Sequence, residues 1–378
     1  MTPPLDLNRR QFLGAAGLTA GAALLAGCAS TSAAASGTRT LQFWHLLSGG
    51  DGVTMSGLLD GVNTAQSAYR IRPTVLAWGT PYYTKLAMAA AGGRAPDVAI
   101  MHATRVLGWA PGGLLDDWDT GRLADLGVDA SAFPDPIWKK GDVDGRRLSI
   151  ALDAHPFVLM YNTEVCEKAG VLDGDGRLKE AANPEDFLAM VDAIAGVTGG
   201  HGLSYGYLGD GSQMWRLFYT LYTQHGIEME MPQGGPAVID KDAAVASLAF
   251  MQKLLDGKRA AKQADYGTAV AEFATGKSGM FLSGVWELRT MQAAKIPFDV
   301  AMIPPVFGTR TAYADSHSFV LPHQSHPDAA SRDLVYRFVA DMLKGSFSWA
   351  EAGHIPAFLP VTESAKYAKM LPQAHYAD

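Results

Sequence analysis

Leu41-Gln42-Phe43-Trp44-His45-Leu46, stopped by Ser48-Gly49-Gly50, is the first of three short apolar runs early in the chain. Arg70 to Trp78 is the second, and Asp97-Val98-Ala99-Ile100-Met101-His102 is the third. Helical patterns fill the gaps, over 52–67 and from Pro81 to Gly92-Gly93. Pro81 stands in a first turn, where its missing N–H costs nothing. Strands alternating with helices across glycine-rich turns predict an α/β fold with a mostly parallel sheet covered on both faces.

The same grammar continues downstream. Asp144-Gly145 between extended flanks predicts a hairpin turn. Pro156 to Tyr161 reads as a buried strand, and Asn183-Pro184-Glu185-Asp186 opens a helix with a cap, a first-turn proline and acids at the positive dipole end. Asp240 caps a helix over 241–255, ended by Asp256-Gly257. Phe281 to Glu287 predicts a strand running through a glycine into a helix. Pro304-Pro305 and Pro322 bracket a strand at 317–321, and a long helix is expected from Pro327 to Lys344.

Upstream of Leu41 the chain is of another kind. Arg9-Arg10 precede Gln11-Phe12-Leu13, a short run of small and apolar residues, and Leu25-Ala26-Gly27-Cys28. A charged start, a short apolar stretch and small residues before a cut site make a signal peptide over 1–27, of twin-arginine type. Residues 28–38 lack apolar bulk and charge and read as a flexible tether behind a lipidated Cys28. Removing Arg9, Arg10 and Asp6 with the leader takes the formal net charge from −7 to −8. An acidic balance of this size argues against a nucleic-acid surface. With Cys28 spent on lipid, Cys166 has no intramolecular partner; it reads as a buried thiol in a short helix.

Aromatic and polar residues gather at strand ends and in the turns after them, where open α/β sheets bind their ligands. They are Trp44, His45, Trp78, Tyr82 with Tyr83, His102, Asp153, His155, Trp215, Trp286, Glu287, His317 and His354. A flat indole or phenol face suits the apolar C–H face of a sugar ring. Carboxylates and imidazoles suit its hydroxyl rim, where each unpaired group would cost about 1–3 kcal/mol. No metal site is expected: His317, His323 and His326 are separated by Pro322, Asp153 and His155 lack a zinc spacing, and there is no cysteine pair. No nucleophile elbow, phosphate loop or zincin motif occurs, so no catalytic residue and no cofactor is assigned. Asp153 and Glu287 remain candidates for a glycosidase pair whose separation the sequence does not fix.

The chain also resembles the extracellular solute-binding proteins, family 1, of bacterial ABC importers, which include maltose- and glycerol-3-phosphate-binding proteins. The resemblance rests on an ordered set that begins with the lipobox, Trp44-His45 and Ala95-Pro96-Asp97-Val98. It continues through Tyr161-Asn162-Thr163-Glu164, Pro184 to Phe187 and Ala271 to Met280, and ends with Ser283-Gly284-Val285-Trp286 and Gly353-His354-Ile355-Pro356.

The resemblance implies the two-lobed type II periplasmic-binding-protein fold, hinged through several crossing segments, with lobe 1 over 39–150 plus 318–360 and lobe 2 over 151–317. Residues 361–378 are expected to be a C-terminal segment; family members run on past this region to close the second lobe, so either the sequence is truncated or this member lacks that closing segment. Trp44, His45, Asp51, Trp78 and His102 would line one side of the cleft. Trp215, Trp286 and Glu287 would line the other, with Asp153, His155, His317 and His354 at the crossings. The implied function is a monomeric, lipid-anchored receptor on the outer face of the cell membrane. It would capture a carbohydrate or sugar derivative for ABC permease subunits. The alternatives are an exported saccharide-acting lipoprotein enzyme, or a receptor for a non-sugar solute such as a metal, polyamine or other small ion; a glycerophosphodiester met by Arg105 or Lys85 also stays open.

Overall fold

The computed structural model describes residues 38–232 and 234–376. The leader, the lipobox and nearly all of the tether lie outside these residues. Among the described residues no helix is long and apolar enough to cross a membrane.

The chain begins with β1 (Arg39–His45), α1 (Gly49–Ala65), β2 (Tyr69–Val75), α2 (Thr80–Ala91), β3 (Val98–His102) and α3 (Ala103–Trp109). After β4 (Leu115–Asp116) a small hairpin forms from β5 (Asp142–Val143) and β6 (Arg146–Arg147). Its turn takes positive φ at both Asp144 (52°) and Gly145 (77°), the backbone that a two-residue hairpin requires. Next come β7 (Ser149–Ala151) and the ten-residue β8 (Asp153–Asn162).

Beyond β8 lie α4 (Thr163–Lys168), α5 (Pro184–Thr198), β9 (Leu203–Ser204), α6 (Gly211–Thr223), α7 (Lys241–Leu254) and α8 (Tyr266–Ala274). The helix starts are sequence-encoded: the Asn183 and Asp240 side chains accept from the Asp186 and Ala243 amides at 2.8 and 2.9 Å. The chain continues through β10 (Met280–Gly284), a 3₁₀ turn at Val285–Glu287, α9 (Leu288–Ala294), β11 (Phe298–Ala301) and β12 (Ala314–Asp315). It returns through β13 (His317–Pro322), α10 (Ala329–Lys344), α11 (Phe347–Ala350) and β14 (Ile355–Pro356).

Two mixed sheets result. One has the order β2-β1-β3-β13-β4 with β7 on β13, and the other β11-β8-β10-β9 with β12 and β14 on β8. Strands β3, β10 and β13 are buried along their whole length, because helices cover both faces. Separate cores follow. Phe43, Phe319 and Phe338 pack in the first lobe, while Phe157, Leu203, Leu221 and Phe250 pack in the second.

The sheets are less parallel than expected. β1 pairs parallel with β3 and β9 with β10, but β13 runs antiparallel to β3, β4 and β7, and β8 antiparallel to β10 and β11. The physical reason is the crossing. β8 leaves one lobe for the other and β13 returns, so each enters its sheet from the hinge end.

The hinge itself is a narrow bundle of backbone. The chain passes between sheets at Leu152 and returns at Ser316. The Leu152 amide donates to the His317 carbonyl (2.7 Å), and the Ala357 amide donates to the Leu152 carbonyl (3.0 Å). The first residues of β8 pair on one side with β12, Asp315 opposite His155, and on the other with β14, Pro356 opposite Asp153. Three segments far apart in sequence thus meet at one place.

Candidate functional site

A floor of buried polar side chains lies at that meeting place. Asp153 opens β8, His155 follows two residues later on the same face, His317 opens β13, and His354 immediately precedes β14. All four are buried, from 0 to 4% exposed. Asp153 Oδ1 accepts from the His317 amide (2.8 Å) and meets His155 Nδ1 (3.1 Å). Its Oδ2 meets His317 Nδ1 (2.8 Å) and accepts from Trp349 Nε1 (2.6 Å). His354 Nδ1 lies 3.1 Å from the same oxygen but outside hydrogen-bonding geometry. Its Nε2 donates to Asp51 Oδ1 at 2.9 Å. Asp51 is placed there by the first turn of α1, whose positive dipole end favours a carboxylate.

The rings interlock. His155 stacks on His317 (4.2 Å between centroids), and His354 stacks on Trp349 (4.3 Å). His102, at the end of β3, stands edge-on to both His155 and His317, at 5.4 and 4.9 Å. Tyr83 accepts from the His102 amide (3.2 Å), and its hydroxyl meets His102 Nδ1 at 2.7 Å.

Burial and neighbouring charge divide these groups into charged and neutral. Burial alone would lower the His354 pKa, but Asp51 and Asp153 together outweigh it and raise it to about 10, so this ring is a cation. Burial works against the Asp153 carboxylate, yet His317, His155 and His354 hold it well below the carboxylate range. Burial, then His317, His155 and Arg216, push His102 well below the imidazole range; burial and His317 lower His155. Both are neutral rings that can accept or donate.

The second lobe closes over this floor with an indole. Trp286 is half-buried, 5.9 Å from His155, and donates from Nε1 to the Tyr266 hydroxyl (2.6 Å). Tyr266 in turn donates to Glu287 Oε1 (2.6 Å), and burial raises the Glu287 carboxyl although this bond opposes it. The Arg216 guanidinium lies 4.7 Å over the Trp286 ring. The backbone beneath the indole is Gly284, where an added Cβ would collide with the Trp286 six-membered ring. His155 Nε2 and Arg216 Nε are buried here without a hydrogen-bond partner, as is Gln213 Oε1 on the same helix as Arg216. Ordered water or a bound molecule satisfies such atoms in native interiors. Two open hollows of about 460 and 670 Å³ elsewhere on the first lobe contain none of these residues.

Measured against the sequence, the structure brings together Asp51, His102, Asp153, His155, Trp286, Glu287, His317 and His354. His45 is buried at the end of β1 with Nδ1 unpartnered; burial and His317 lower its pKa to about 4. Trp44 packs against the first-lobe core under the Lys85 amine (5.6 Å). Trp215 stacks on Tyr219 (5.3 Å), while its neighbour Arg216 reaches Trp286. Trp78 is exposed in the turn after β2, a strand away from β3 across β1. Tyr82 requires correction: it is fully buried and donates to the Trp44 and Ile100 carbonyls (3.1 and 2.6 Å), so it supports the strands while Tyr83 meets the floor. Arg216, Tyr266, Trp349 and Tyr83 complete the constellation, and of these the sequence had singled out only Tyr83.

The model of the family described as "Bacterial extracellular solute-binding protein" matches residues 63–372. The chain belongs to this family. No curated protein sequence matches the solute-binding protein. Its fold is that of the GacH receptor of Streptomyces glaucescens, described unliganded and with acarbose or an acarbose homolog (TM-score 0.76, 20% identity, 89% of this chain and 85% of that one). It is likewise that of maltose-bound MalE3 of T. maritima (0.74, 18%, 89% and 85%). A solute-binding protein of Thermotoga lettingae bound with α-D-tagatose gives 0.73 at 16% identity, with 89% and 86% covered. The two-lobed type II periplasmic-binding-protein fold is therefore observed, in a family described as solute-binding.

Proposed function

We propose that this solute-binding protein captures a carbohydrate or sugar derivative between its lobes and presents it to an ABC permease. One observation carries the reading. A half-buried indole from the second lobe faces neutral imidazoles and carboxylates at the hinge, beside buried polar atoms that lack partners. The indole supplies an apolar plate, and the unpartnered His155 Nε2 and Arg216 Nε supply polar contacts that a hydroxyl rim satisfies. The sugar complexes of the three similar structures favour the same ligand class.

The lipobox and leader favour a receptor tethered outside the membrane at Cys28 and working as a monomer beside its permease. Ligand contacts on both lobes would shift the open–closed equilibrium by their differential affinity for the closed form. The test is a calorimetric and thermal-shift series with maltooligosaccharides, acarbose-type pseudosugars, ketohexoses, amino sugars and glycerophosphodiesters. A saturable one-to-one heat with a raised melting temperature for a sugar is expected. At a hundredfold excess over Kd the stabilisation is about 2.7 kcal/mol. Sugars that are bound but returned cleaved would favour the enzyme. A response to glycerophosphodiesters alone would overturn the carbohydrate assignment.

A further inference from the structure

The Asp153 carboxylate is surrounded in a way that sugar binding does not explain. The Nδ1 atoms of His155, His317 and His354 all lie 2.8–3.1 Å from its oxygens. One donor atom from each of the four residues falls within 4.8 Å of every other, and all four residues are buried. Tetrahedral zinc, with bonds of about 2.0–2.2 Å, spaces its donors roughly 3.3–3.6 Å apart. The spacings in the cluster, from 2.8 Å for His317 and Asp153 up to 4.8 Å, bracket that range.

Two further features fit an ion rather than a proton network alone. His354 Nδ1 and Asp153 Oδ2, from different chain crossings, face one another at 3.1 Å, so both can turn to a common centre. The outer groups are also those that orient ligands: His354 donates its other nitrogen to the Asp51 carboxylate (2.9 Å), and Asp153 accepts from the Trp349 indole (2.6 Å).

We propose that Asp153, His155, His317 and His354 form a binding site for one divalent transition-metal ion of the zinc type. The ligands come from the starts of β8 and β13 and from the residue before β14. A bound ion therefore staples all three chain crossings at the pivot between the lobes. It uses the Nδ1 side of His155 and leaves Nε2 to the cleft, so ion and solute occupy separate faces of that ring. Binding displaces the extra proton of the His354 cation to solvent, while the neutral His155 ring keeps its single proton on Nε2.

The test uses the chain stripped with chelator and titrated with Zn²⁺ alone by calorimetry, and with Co²⁺ as a spectroscopic probe. One Zn²⁺ per chain, a raised melting temperature and the intense visible bands of tetrahedral Co²⁺ are expected. In His155→Gln and in His317→Asn the affinity falls at least a hundredfold. His323→Gln with His326→Gln, a pair outside the cluster, leaves it unchanged. No stoichiometric binding, weak octahedral-type Co²⁺ bands in the unaltered protein, or binding lost only in the His323/His326 variant would overturn the site. Because the readouts are the ion and its spectrum, a failure here leaves the carbohydrate titrations to stand or fall separately.

Discussion

Replacing Gly284 with alanine probes the indole without touching its chemistry. Gly284 is extended (φ −107°, ψ 171°), so its backbone accepts any residue; only space is at issue. The new methyl would lie within the Trp286 six-membered ring, so the indole must swing away. That breaks its hydrogen bond to Tyr266 (2.6 Å), about 0.5–1.5 kcal/mol, and its contact with Arg216 (4.7 Å), about 0.5–2 kcal/mol.

Overpacking alone costs about 1–3 kcal/mol, so the unliganded melting temperature falls. A displaced plate also no longer covers roughly 60–100 Å² of a sugar's apolar face, about 1.5–2.5 kcal/mol. Affinity should drop by about 10- to 70-fold. The matched control is Gly279→Ala, whose methyl would meet Ile194 and Val165 (2.8 Å) in the second-lobe core, away from the cleft. It should lower the melting temperature while leaving calorimetric affinity within twofold. Equal affinities for Gly284→Ala and the unaltered protein would refute the stacking argument.

Other substitutions separate support from contact. Asp153→Ala leaves the buried His354 cation with Asp51 as its only carboxylate contact, and should cost about 3–5 kcal/mol in urea unfolding; a loss under about 1 kcal/mol would contradict its place at the centre of the hinge. Tyr82→Phe should lower stability through two lost bonds to strand carbonyls but spare affinity, whereas Tyr83→Phe, which frees His102 Nδ1, should weaken sugar binding; the reverse pattern in paired melts and titrations would restore Tyr82 to the cleft. Cys166 is buried and its thiol is pushed up to about 12 by burial, so it should resist alkylation at neutral pH until the protein unfolds. His45 titrates near 4 when folded and near 6.5 when unfolded, so the unfolded chain takes up the proton first as pH falls; stability should decline from pH 6.5 towards 4, and less steeply in His45→Gln.

Local signals carried far in this chain because they need no tertiary knowledge. Asp144-Gly145, Asn183-Pro184 and Asp240 each name a backbone shape, and each forms it. Strand directions were not legible. Whether β8 and β13 run parallel to their neighbours depends on the end from which they enter each lobe, which only the crossings decide. The hinge cluster was legible only through the family resemblance: Asp153, His317 and His354 lie in three segments, and no spacing rule joins them. Adjacent helical residues point about 100° apart, and that separates neighbours that the sequence could not tell apart. Tyr82 faces the strands while Tyr83 meets His102, and Trp215 stacks on its own helix while Arg216 covers Trp286. Tyr266 and Trp349 gave no signal beyond being aromatic, since their roles rest on the groups their polar atoms reach.

The central claim is that two lobes close on one solute over the hinge floor. Leu107 in α3 of the first lobe and Leu208 before α6 of the second are both exposed, and Cys166 is buried, so spin labels at Leu107→Cys and Leu208→Cys in a Cys28→Ser background report the interlobe distance. The distance distribution should shift to a shorter value on saturation with the sugar found by calorimetry, and should not shift in Trp286→Ala at the same concentration. Saturable sugar binding with an unchanged distance would contradict it.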